Sequence, residues 1–66
     1  MKLYRFITGP DDEKFCMRVT ESLNSGWQLH GSPALTHDGK TAIAGQALVK
    51  EVAGEEFVQD INLRSY

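Results

Sequence analysis

The run from Gly26 to Val49 limits the fold of this chain more tightly than any other segment, because it reads as a β-hairpin entered directly from a helix. Gly26 suits the left-handed residue that ends a helix, Trp27 opens a strand, and Asp38-Gly39 turns that strand back. Alternation from Trp27 puts Leu29, Gly31, Pro33 and Leu35 on its own face and Gln28, His30, Ser32 and Thr36 on the other. Pro33 has no N–H to give a ladder, so the strand is expected at a sheet edge, or bulged at Gly31-Ser32-Pro33. A two-residue type I′ turn at Asp38-Gly39 would set Leu35 opposite Ala42, Pro33 opposite Ala44, Leu29 opposite Leu48 and Trp27 opposite Lys50. On the other face Ala34 would meet Ile43, Ser32 would meet Gly45, His30 would meet Ala47 and Gln28 would meet Val49. The returning strand is then apolar on both faces, as a central strand should be.

Upstream, Lys2 to Thr8 alternates as a strand with Leu3 and Ile7 on one face and Tyr4 and Phe6 on the other, and Gly9-Pro10 is expected to stop it. A helix should begin near Asp11, where Asp11, Asp12 and Glu13 suit the positive end of the helix dipole. Phe15, Cys16, Val19 and Leu23 form its apolar stripe, with Arg18, Glu21 and Ser22 mostly off it. On that stripe Cys16 reads as a small core residue, and Trp27 is placed to fold back against Leu23. One helix crossing back over the sheet makes the first and second strands run the same way, with the third between them and antiparallel to both. The predicted fold is α+β: β-α-β-β, a three-stranded antiparallel sheet in the order 2-3-1 with one helix on one face.

One helix cannot cover two apolar faces. The bare face should show Ile43, Ala47 and Val49, or the Trp27, Leu29 and Leu48 set, depending on the side the helix takes. Residues 1–52 form the predicted domain and 53–66 a C-terminal arm, which Ala53-Gly54 separates from the last strand. Residues 55–63 suit either a helical turn, with Phe57 and Ile61 on one face, or a short strand, with Phe57, Ile61 and Leu63 on one face, and the arm could cover its own sheet or exchange onto a partner's.

A chain of 66 residues buries only about 60% of the surface its unfolded form exposes, and domains of this size commonly recruit disulfides, a metal or a partner. A single cysteine allows no internal disulfide, and the His, Cys and acidic residues show no zinc-like spacing, so no metal or other cofactor is expected. Self-association is the remaining support, and a homodimer is the expected state. A net charge of −2, from 7 basic against 9 acidic residues, lacks the cationic excess of a nucleic-acid binder. No apolar run nears the roughly 20 residues of a membrane span, and Met1 to Arg5 lack a leader's apolar core, so the cytoplasm is the expected compartment.

No catalytic constellation emerges. Gly39-Lys40-Thr41 resembles the end of a phosphate-binding loop, but Ala34 stands where its first glycine belongs and strand follows instead of helix. His30 and His37 lack a third metal ligand, and no carboxylate neighbours His30 and Ser32 to orient a nucleophile pair. The residues Leu3-Tyr4-Arg5, Thr8-Gly9-Pro10-Asp11-Asp12, Phe15, Val19, Leu23-Asn24, Gly26-Trp27, Gly31-Ser32-Pro33 and Gly45-Gln46-Ala47-Leu48-Val49-Lys50 together resemble a small bacterial and phage family, domain of unknown function 1737. That resemblance spans residues 1 to about 52, transfers no catalytic residue, and implies a binding or assembly role in short soluble proteins or amino-terminal modules. The expected function is therefore a non-enzymatic, self-associating protein-interaction module. The alternative is a small-ligand or nucleic-acid binding domain using Trp27, Gln28, His30, Ser32 and Lys50. Candidate interface residues are Trp27, Gln28, His30, Ser32, Ile43, Ala47, Val49, Phe57 and Ile61.

Overall fold

The structure, a computed structural model, describes the backbone of residues 1–66 and every side chain but that of Arg64. Strand β1 (Lys2–Pro10), helix α1 (Glu13–Asn24), strand β2 (Gln28–His37) and strand β3 (Ala42–Glu51) follow one another, and a 3-10 turn (Leu63–Ser65) closes the tail. The three strands make one antiparallel sheet in the order β1-β3-β2, the predicted α+β arrangement read from its other edge. β1 runs two residues past the expected stop: as an edge strand it tolerates Pro10 at its end, paired with Ile43.

Local chemistry sets the ends of α1. The Asp12 carboxylate accepts the Phe15 N–H at 3.0 Å and caps the helix start. At the other end the Trp27 N–H donates to the Ser22 carbonyl at 3.1 Å and the Gly26 N–H to that of Leu23 at 3.3 Å, the paired bonds of a Schellman motif. Gly26 has φ +96°, and a Cβ there would also stand 3.4 Å from Lys50 Cε. The helix is rotated from the expected stripe. Phe15, Val19 and Ser22 face the sheet, whereas Cys16 and Leu23 are exposed. Two bonds account for this rotation: the Schellman link draws Trp27 back onto Ser22 rather than Leu23, and Arg5 of β1 donates to Ser22 Oγ at 3.3 Å.

Leu3, Ile7, Trp27 and Leu48 form the core, with Trp27 2% and Leu48 0% exposed. All lie on the helix side of the sheet. Phe15 and Val19 pack on this cluster, and so do Ile61, Leu63 and Tyr66 of the tail. The arm therefore sits on its own sheet, beside the helix. Neither a helical turn nor a strand runs over residues 55–63 as expected; among the described residues the arm's regular element is the 3-10 turn Leu63–Ser65, which takes in only the last of them.

The hairpin departs from a two-residue turn. Its loop is Asp38 to Thr41, in which Asp38 Oδ1 accepts the Lys40 N–H at 2.8 Å and the Thr41 N–H at 2.7 Å. Type I′ geometry would require positive φ at Asp38 as well as Gly39, and only the glycine has it. The longer loop pairs His37 with Ala42, Leu35 with Ala44 and Ala34 with Gly45, displaced by two residues from the expected register. A bulge at Gly31-Ser32-Pro33 absorbs the shift, so His30 meets Ala47, Leu29 meets Leu48 and Gln28 meets Val49 as expected. Both anticipated solutions for Pro33, edge and bulge, are used together. Buried Gln46 stands opposite the bulge, and its Nε2 donates to the Ala47 carbonyl at 2.9 Å and the His30 carbonyl at 3.5 Å, satisfying oxygens there.

Two outcomes follow. Gly26→Ala should lower stability by about 1–2 kcal/mol in equilibrium urea unfolding, because the alanine must hold a left-handed conformation. The Thr41 N–H, then the Lys40 N–H, hold the Asp38 carboxyl below the ordinary 3.8. Loop stabilisation by Asp38 is thus present above 3.8 and lost as pH falls through the lower folded value. An NMR titration should place the Asp38 midpoint below 3.8 in the folded chain and restore it on unfolding.

Candidate functional site

With α1 and the tail on one side, the opposite side of the sheet is open. Register assigns it Tyr4, Phe6 and Thr8 of β1, Ile43, Gly45, Ala47 and Val49 of β3, and Gln28, His30, Ala34 and Thr36 of β2. Cross-strand partners are Tyr4 with Val49, Phe6 with Ala47, Gln28 with Val49 and His30 with Ala47, so the aromatic and aliphatic side chains form one band with a polar margin along β2. Tyr4 is 55% and Phe6 52% exposed, far more than core aromatics.

Gly45 gives this band its relief. A Cβ at Gly45 would stand 2.6 Å from Phe6 Cζ, so the ring lies across the bare glycine backbone and buries it. The absent side chain is the seat of the aromatic one. Beside the ring is a shallow apolar hollow of about 130 Å³ bordered by Phe6, Thr8, Ala34, Thr36 and Ile43. The strand residues on this face carry charge only at its far end, where Lys2 pairs across from Glu51.

Of the residues singled out from sequence, the fold brings Gln28, His30, Ile43, Ala47 and Val49 together on this face. Ser32 lies in the exposed bulge. Trp27 is on the other side, buried in the core with its Nε1–H donating to the Tyr66 carbonyl at 3.3 Å, and so is the partly buried Ile61. Phe57 is exposed in the tail. Lys50 also faces the helix side, donating to the carbonyls of Ser25 at 2.7 Å and Tyr66 at 3.4 Å. Tyr4 and Phe6, the largest members of the open face, were absent from the sequence-derived set. Their alternation signalled a two-faced strand, and the register of β1 against β3 was needed to join them to Ile43, Ala47 and Val49.

Among the described residues no group of three His, Cys, Asp or Glu side chains could hold a metal ion. No helix among them is long and apolar enough to cross a membrane. Residues 1–51 match the family model described as Domain of unknown function (DUF1737). Nothing among the curated proteins or the solved structures matches the chain.

The seat of Phe6 is testable by a double-mutant cycle. Gly45→Ala should destabilise the protein by about 1 kcal/mol in urea unfolding, by displacing the ring. In a Phe6→Ala background the same substitution should have no such effect.

Proposed function

This chain belongs to the DUF1737 family, and we propose that it is a non-enzymatic assembly module whose open sheet face packs against the same face of a second copy. The observation that carries this reading is the uncovered Tyr4, Phe6, Ile43, Ala47 and Val49 band on the side of the sheet opposite its helix. Three strands at about 4.8 Å spacing and about 30 Å of length make a footprint near 400 Å². The largest apolar patch of a monomer is commonly about 300–600 Å² and often functional, and a face this size fits a reversible dimer rather than a permanent one.

Charge selects the occupant. A nucleic acid would need cations beside the aromatic rings, and the face offers Lys2 alone, opposed by Glu51. A neutral apolar surface is complementary to itself, and two sheets packed face to face interdigitate side chains across about 10 Å. The hollow beside Phe6 gives a partner's side chain a place to enter. The tail already has a place, on its own core through Ile61, Leu63 and Tyr66, which favours the sheet face over arm exchange as the contact.

Light scattering over a concentration series should give a mass rising from monomer to dimer. Phe6→Glu should hold it at monomer with an unchanged far-ultraviolet spectrum. A wild-type chain that stays monomeric at every concentration would overturn the reading, and so would a dimer indifferent to charge at Phe6.

A further inference from the structure

On the helix side, between β1, α1 and the tail, is a cavity of about 390 Å³ lined by Arg5, Arg18, Glu21, Ser22, Ser25 and Tyr66. Arg5 occupies an inner-face position of β1 between the core residues Leu3 and Ile7, where packing alone would favour an apolar side chain. Its guanidinium stands 5.1 Å from the centroid of the Trp27 ring and donates to Ser22 Oγ at 3.3 Å. Arg18 is held from the other side, its Nη1 donating to the Thr8 carbonyl at 3.0 Å. Among the described residues neither guanidinium has an Asp or Glu carboxylate within 4.0 Å, the only such ion pair being Met1 with Glu51. Arg5 is half-buried, and such a cation is ordinarily answered by a counter-charge; Arg18 is exposed beside it.

Lys50 adds a third cation at the margin, bonded to the carbonyls of Ser25 and Tyr66, two of the lining residues. Arg5 and Arg18 of a net acidic chain thus line one cavity, with Lys50 bonded to two of its other lining residues. Glu21 is the one Asp or Glu side chain among the lining residues. Each arginine has five N–H donors in a planar fork that matches a phosphate, and each spends one on the bond described. We propose that this cavity binds a small phosphate-bearing anion, clamped between Arg5 and Arg18. Trp27 and Ser22 hold Arg5 in place before the anion arrives, which limits the ordering that binding requires.

The test is an NMR titration of the full chain with inorganic phosphate and with glycerol 3-phosphate at constant ionic strength. Either anion should shift the Trp27 indole N–H and the Ser22 and Ser25 amides saturably. Arg18→Gln, on the exposed surface of the helix, should weaken that binding about tenfold or more, as expected for loss of a charge-assisted hydrogen bond. Arg5→Lys, which keeps charge but not the fork, should weaken it too. Shifts that do not saturate, that sodium chloride reproduces, or that persist unweakened in Arg18→Gln would overturn the proposal. The site lies on the opposite side of the sheet from the proposed dimer face, so Phe6→Glu should leave anion binding unchanged. The two readings therefore fail separately.

Discussion

The burial of Trp27 holds the rest of the molecule in place. Its backbone N–H closes the C-terminus of α1 on Ser22, its ring lies in the core with Leu3, Ile7 and Leu48, its face supports the Arg5 guanidinium, and its indole N–H ties down Tyr66. One side chain thus joins helix, sheet and tail. Small domains have few buried side chains to share such duties, and a large aromatic with one polar handle combines area with direction. Because Trp27 takes the helix to its own side of the sheet, it also decides which side is left open.

The open side and the cavity are two consequences of one shortage. A helix of twelve residues is about 18 Å long, whereas a ten-residue strand spans about 33 Å. One helix cannot line both faces, or even the whole of one. The tail supplies part of what is missing by packing Ile61, Leu63 and Tyr66 beside α1. Where helix, tail and β1 do not quite meet, polar residues line the gap. Leu29 and Leu35, nominally on the helix side of β2, remain exposed because the helix packs chiefly against β1.

Features fixed by near neighbours were legible in the sequence. The acidic helix start, the Gly26 stop and the strand order each follow from a few residues or from a rule of connection, while the choice of Asp12 as the cap needed the structure. The hairpin tip was not, because Asp-Gly serves equally in a tight turn and in a longer loop where the aspartate side chain bonds onward N–H groups. The helix stripe failed at Cys16 and Ser22 because periodicity leaves the rotation open by about one residue, and bonds from Arg5 and Trp27 decide it. Half of the open face was visible in the alternation of β2 and β3. Tyr4 and Phe6 needed the β1 register, and the meeting of Arg5 with Arg18 needed the helix docked on the strand. A pairing that exists only after folding leaves no local pattern to read.

The bulge at Gly31-Ser32-Pro33 bears on how far assembly can go. An open sheet has two free edges, here the outer sides of β1 and β2, and pairing one with the other between successive copies would extend without limit into a filament. The bulge bends β2 out of ladder geometry, and Pro33 supplies no N–H to a newcomer. With that edge blunted, head-to-tail growth lacks one of its two surfaces. Extension of the sheet through the β2 edge is thereby disfavoured.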